Sequence, residues 1–212
     1  MPNWTTNEVK FTGEKKDIAA LRTLMGDDFN FNAIIPKPAS LDVTDGSITD
    51  LAIMYYLGAV SGGVYNFKDS PKNIELFSRY SKNFFLPPGD NFQRTQERLK
   101  KELKEKKIEK DPNKLYELGK TYVRNKDLYG HTTWFTWCNE NWGTKWDACD
   151  CEITEEDENL LVYSFSTAWT PPLPIYKAIH EKFPGLKKEI CYKNEDEEDE
   201  FFFTIEPEEK DA

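Results

Sequence analysis

Long apolar runs are missing from this chain: no window approaches the roughly 20 apolar residues that a bilayer-spanning helix needs. Cysteine and histidine are scarce too, with 4 and 2 in 212 residues. The cysteines, Cys138, Cys149, Cys151 and Cys191, are too few for a disulfide scaffold in a chain of this length. A zinc site asks for C-x₂₋₄-C pairs or added histidines. Here the close pair is C-x-C, and His131 and His180 stand at no matching spacing. Ordinary buried thiols and no metal are therefore expected. There is no G-x-x-x-x-G-K-[ST] loop to cradle phosphate, no H-E-x-x-H and no G-x-S-x-G. His131 is followed by Thr132 and Thr133, but adjacency alone does not make a nucleophile–base pair. Asp150 and Glu152 could share acid–base work, yet carboxylates on the outer side of a strand are far commoner. No catalytic residue, metal or cofactor is assigned, and the chain reads as a non-enzyme. The opening Met1-Pro2-Asn3-Trp4 lacks the basic and apolar regions of a signal peptide, so a cytoplasmic location is expected.

What the chain has in quantity is charge and aromatic mass. Aromatics make up 14% and charged residues 31%, with a net charge of -10. That charge is segregated. Asn194 to Ala212 carries ten acidic residues against the single Lys210, whereas Lys68 to Asp127 carries sixteen basic and ten acidic. A basic middle and a very acidic end share one chain.

Periodicity then divides the sequence. Residues 4–11 read as a strand, and Ile18, Leu21, Leu24 and Met25 give the stripe of a helix from about Glu14. Phe29, Phe31 and Ala33 alternate with polar residues into Ile34-Ile35, the pattern of a second extended segment stopped by Pro36 and Pro38. Ser47 or Thr49 can cap a helix through Leu57 that stops at Gly62-Gly63. Further helices are expected from Pro71, over Asp90–Lys110 with the i,i+4 pairs Glu97–Lys101 and Glu102–Lys106, and from Pro112 with Leu115, Leu118 and Tyr122 facing inward. Thr132 to Trp137 is β-prone, as is Leu160 to Phe165. Thr170-Pro171 resembles an N-cap with proline at the first helical position. The helix that follows buries Ile175, Ile179 and Phe183 and leaves His180 outside. Leu186–Tyr192 and Phe201–Ile205 complete the strands. These elements predict an α+β protein with a ferredoxin-like (split βαβ) antiparallel sheet. Residues 1–45 and 129–206 would form the discontinuous core, 46–128 a helical insertion and 207–212 an acidic tail.

The densest motif runs from Trp134 to Trp146, with four tryptophans in thirteen residues. Gly143 suggests a turn that a side chain would obstruct. Asn141 can bond the backbone that follows it and set that turn, and Lys145, beside Trp142 and Trp146, can make a cation–π contact. One reading is a binding platform of Asn141, Trp142, Gly143, Lys145, Trp146 and Trp169, the indoles supplying flat apolar contact and Asn141 and Lys145 polar selection. The other is a rigid aromatic connection locking the insertion to the sheet, the commoner use of buried aromatics.

Four stretches, in order, carry a resemblance: Met1-Pro2-Asn3-Trp4, Phe31-Asn32-Ala33-Ile34-Ile35-Pro36-Lys37-Pro38, Glu140-Asn141-Trp142-Gly143-Thr144-Lys145-Trp146 and Phe165-Ser166-Thr167-Ala168-Trp169-Thr170-Pro171-Pro172. Together they resemble the YubB-type ferredoxin-like proteins of plasmids and bacteriophages. The resemblance implies the fold and a mobile-element setting, and it brings no catalytic residue. It departs at Thr5, where the family often has cysteine, so any redox or metal role of that cysteine is absent here. The expected function is that of a phage or plasmid accessory protein that binds a host or defence protein and modulates it, by inhibition. Asp196, Glu197, Glu198, Asp199 and Glu200 would be its acidic partner surface, able to mimic nucleic-acid phosphates in a basic groove or to serve simply as a solvated turn. A small-molecule or nucleotide-binding module using the Asn141–Trp146 patch, enzymatic or not, is the alternative. Sheets of this fold can stack bases, but the overall charge opposes direct nucleic-acid contact.

Overall fold

A computed structural model describes residues 3–60 and 112–208. The helices expected around 71–80 and 90–110, their ion pairs and the Gly62-Gly63 stop lie outside the described residues. One compact unit comprises Met1–Lys37 with Phe135–Ala212, and a second comprises Pro38–Trp134.

The first unit holds β1 (Trp4–Thr12), α1 (Lys15–Met25) and the short α2 (Phe31–Ile34). The second holds a 3₁₀ turn (Ala39–Leu41), α3 (Ser47–Val60) and α4 (Pro112–Tyr129). The chain then continues in α5 (Trp134–Asn141), β2 (Cys149–Asp157), β3 (Leu160–Ala168), α6 (Leu173–Lys182), β4 (Lys187–Asn194) and β5 (Phe201–Ile205). The five strands form one sheet in the order β2-β3-β1-β4-β5, and every pairing is antiparallel. With β5 set aside, that order is the split βαβ arrangement. The segments 4–11 and 160–167 are interior strands, as expected.

Alternation decides which face of the sheet is covered. Thr5, Asn7, Val9 and Phe11 of β1 are buried while their neighbours in between are exposed. Across the ladder, Val9 faces Tyr163 and Ile190, and Asn7 faces Phe165 and Tyr192. Ile18, Leu21 and Met25 of α1, with Ile175, Tyr176 and Ile179 of α6, bury their stripes on the same side. The polar members of this face are fully spoken for. Tyr176 donates to Asn7 Oδ1 at 3.3 Å, Asn7 Nδ2 donates to Thr167 Oγ1 at 2.9 Å, and Thr167 donates to the Thr170 carbonyl at 2.8 Å. Lys188 on β4 is 0% exposed. Its ammonium donates to the Phe183 and Leu186 carbonyls, both at 2.7 Å, and to His180 Nδ1 at 3.0 Å, consuming its three N–H groups. Burial pushes that ammonium down to about 8, with the Glu208 carboxylate opposing. His180 therefore does not stand outside as its helical position suggested. It is half-buried, with Nδ1 on Lys188 and Nε2 3.6 Å from Glu208.

Three local expectations are overturned. Residues 29–35 are not a strand: Phe29 turns at φ 47 and Phe31–Ile34 is helical. Trp134–Asn141 is helical rather than extended, and it buries the adjacent Trp137 and Cys138. The strand that flanks β3 is instead Cys149–Asp157, an acidic edge strand with register shifts between Cys149 and Glu152 and between Ile153 and Glu155. The cap before α6 differs as well. Pro172 occupies the N-cap position, and the Thr170 hydroxyl is spent on the Gly143 carbonyl.

In the second unit Ala52, Ile53, Leu115, Tyr122 and Val123 form a small core. Tyr122 donates to the Thr44 carbonyl at 2.6 Å, and the buried Asn125 exchanges hydrogen bonds of 2.7 Å with Ser40. Gly119 lets α3 and α4 approach, since a methyl there would lie 2.0 Å from the Ala52 carbonyl oxygen and 2.6 Å from Tyr56 Cβ.

Gly119→Ala should therefore cost about 1–3 kcal/mol by overpacking, read as a fall in denaturant midpoint. In the sheet unit, Asn7→Leu orphans the buried Tyr176 hydroxyl and should cost about 1–3 kcal/mol, whereas Tyr176→Phe should cost about 1 kcal/mol. The double variant should be less destabilised than the two single effects combined, because the orphaned hydroxyl is gone. Strict additivity in chemical denaturation would refute the coupling.

Candidate functional site

The aromatic motif folds into two parts of different character. Trp142 belongs to the interior: it is 4% exposed and its Nε1–H donates to the Ile35 carbonyl at 2.9 Å. Its ring meets Phe31 and Trp137 edge to face, at 5.9 and 5.6 Å between centroids. Phe31 in turn reaches Phe29 and Phe165, and Phe29 stacks on Phe165 at 4.6 Å. Asn141 is half-buried, and its amide bonds back to the Trp137 carbonyl at 2.9 Å rather than forward into the turn. Gly143 makes the turn itself at φ +79, where a Cβ would come within 2.6 Å of Pro174 Cδ. The buried Thr144 donates to the Ala168 carbonyl at 2.8 Å.

Asp147 closes this part. Its Oδ1 accepts from the Phe31 N–H at 2.8 Å and from the Ala148 N–H at 3.0 Å. The contact supplies α2 with the cap that Asn30 does not. Burial pushes the carboxyl above the usual range, against the pull of those backbone N–H groups and of Lys37.

The second part faces outward. The Lys145 ammonium lies 4.4 Å from the ring centroid of Trp146, 5.0 Å from Trp169 and 5.6 Å from Phe135. It does not stand over Trp142, whose nearby cation is Lys37 at 5.8 Å. Trp4 extends the group, 6.2 Å from Trp146. Trp169 is 42% exposed and adopts φ 71, a left-handed conformation that costs a bulky residue about 1–3 kcal/mol. It is bolted there: its N–H donates to the Asn3 carbonyl at 2.9 Å, and the Thr167 hydroxyl holds Thr170 on its other side. Of the six residues expected to bind, Lys145, Trp146 and Trp169 come together. Asn141, Trp142 and Gly143 form the frame behind them. Phe135 and Trp4 complete the cluster, and neither was among the expected site residues. Phe135 was hidden by the strand reading of 132–137, since only a helix turns it toward Lys145.

The acidic run occupies the turn from β4 to β5. Asp196 accepts from the Asn3 side chain, and Glu197 from Asn194 Nδ2 at 2.8 Å. Glu198, Asp199 and Glu200 are exposed and have no hydrogen-bond or ion-pair partner among the described residues. Beside them Phe201 and Phe202 are 42% and 70% exposed.

Asp150 and Glu152 are exposed on the edge strand. All four cysteines are free thiols, and Cys151 is pushed up to about 12 by burial and then by the Asp28 and Asp27 carboxylates, which keeps it protonated and a poor nucleophile. Among the described residues no group of three or more His, Cys, Asp or Glu side chains could hold a metal ion, and no helix is long and apolar enough to cross a membrane.

The sheet order defines the class of domain as ferredoxin-like. Residues 141–201 match a family described as the ferredoxin-like domain in Api92-like protein. Among solved structures, the chain is similar to the crystal structure of a protein api92 from Yersinia pseudotuberculosis. That likeness covers 97% of this chain and 95% of that one, at 9% identity and a TM-score of 0.46. No curated protein matches.

The frame predicts its own failure modes. Trp142→Ala should cost about 3–5 kcal/mol, as a buried aromatic truncation does. Asp147→Ala should cost about 0.5–2 kcal/mol through the lost cap. Thermal melts of the two variants check both, and an unchanged melting temperature for Trp142→Ala would mean the ring is not part of the core.

Proposed function

We propose that this is a non-enzymatic accessory protein of a phage or plasmid that binds and inhibits a host or defence protein in the host cytoplasm. The observation that carries the reading is the β4–β5 turn. Asp196 and Glu197 shape it from within, leaving Glu198, Asp199 and Glu200 with no hydrogen-bond or ion-pair partner among the described residues, beside the exposed Phe201 and Phe202. An apolar patch rimmed by exposed charge of one sign fits a protein surface of the opposite sign. The resemblance to YubB-type proteins supports the mobile-element setting. The net charge of -10 weighs against nucleic acid as the direct partner.

Neutralising Asp196, Glu197, Glu198, Asp199 and Glu200 to Asn or Gln tests the reading against a partner isolated by pull-down from bacterial lysate. Association with the native protein should slow as salt is raised, because exposed charges are screened over about 8–10 Å near physiological ionic strength. The neutralised variant should lose on-rate and most of that salt dependence, with little change in off-rate. Equal affinities for the two proteins at low and high salt would leave the run a solvated turn and remove the proposal.

A further inference from the structure

We propose that Lys145, Trp146, Trp169, Phe135 and Trp4 form a binding site for a small planar aromatic ring carrying a single anionic group. Two observations converge on it. The Lys145 side chain is half-buried among three rings, and its ammonium has no hydrogen-bond acceptor or carboxylate among the described residues. A cation so placed is held in position by ring faces while its N–H donors remain unspent. Trp169 is held in a backbone conformation that disfavours bulky side chains, yet leaves 42% of its surface open. The frame behind it closes through Trp142, Gly143 and Thr144, while the Trp169 ring itself meets Phe135 edge to face at 6.4 Å. Strain kept at an exposed aromatic is the signature of a side chain aimed at something outside the chain.

The chemistry of the ligand follows from what the cluster offers. Indole and phenyl faces provide stacking, and one ammonium provides one charge-assisted contact. The rest of the molecule is strongly acidic, so a ligand with an extended run of negative charge, such as a triphosphate, would be repelled more than one with a single compact anionic group. A nucleoside monophosphate and an aromatic carboxylate both present a ring joined to a compact anion. The site lies on α5, the turns that follow it, the β3–α6 turn and Trp4 at the start of β1, whose backbone is bonded to Glu195 at the root of the acidic turn. Because its probes are small molecules, its test is separate from that of the protein partner proposed above.

Calorimetric titration with adenosine monophosphate and with indole-3-carboxylate, each beside its uncharged counterpart (adenosine and indole), reads the site. The anionic members should bind and the neutral ones should be weaker by about tenfold, the scale of one charge-assisted contact. Binding of the nucleotide alone, or of the carboxylate alone, would identify the source of the ring. Lys145→Met should reduce the anions to the affinity of the neutral rings without lowering the melting temperature much. Trp169→Gly is the sharper variant, because glycine accepts φ 71 without strain. It should hold or raise the melting temperature while abolishing capture of every probe. A marked loss of stability in Trp169→Gly would make the indole a packing residue and overturn the proposal. So would anions that bind no better than their neutral counterparts, or no binding of any probe by the unaltered protein.

Discussion

The indole N–H of Trp142 on the carbonyl of Ile35 joins two parts of the sheet unit that are more than a hundred residues apart in sequence. Around that bond the rings of Trp137, Trp142, Phe31, Phe29 and Phe165 form a continuous contact from α5 to β3. Asp147 fastens the same short helix from its other end. A four-residue helix has almost no stability of its own, because nucleation is unfavourable and few backbone bonds repay it. Here both ends are closed by side chains from elsewhere in the chain, and the ring contacts supply the rest. Everything outward of the frame, including the Lys145 cluster, takes its position from it.

Regular burial was the legible part of the fold. β1 and β3 show their alternation or apolar density directly, and α1, α6, β4 and β5 follow from stripe and turn residues. The misreadings have a common physical origin. Phe29, Phe31 and Ala33 alternate as a strand would, but their conformation is decided by Asp147 and Trp142, which no local window contains. Residues 134–137 are rich in strand-favouring types, yet Trp137 and Cys138 meet the core only if the segment winds helically. β2 was hidden for the opposite reason: an edge strand with Ile153 as its one large aliphatic residue buries too little to show a hydrophobic period, and its bulges break what period there is.

The same distinction runs through the candidate site. Composition pointed to the Trp134–Trp146 stretch, and spacing pointed to Gly143 as a turn. Neither could separate the indole that is buried from those that are not, since all the tryptophans are chemically alike. That division is made by the turn at Gly143, which sends Trp142 inward and brings Lys145 and Trp146 out toward Trp169. The role of Asn7 and Lys188 in the interior was equally invisible, because each is polar in sequence and becomes acceptable in the core only through partners supplied by distant elements.

Lys188 gives the molecule an internal amine that water does not reach. Acylating reagents modify lysines through the free, accessible amine, so in the native protein they will label the surface lysines and pass this one by. Its acylation would report opening of the β4–α6 contact, independently of any spectroscopic signal from the six tryptophans, whose emission blends several environments at once. A lysine that is chemically silent when folded thus makes the chain its own footprinting probe, with the reporter already placed at the joint between helix and sheet.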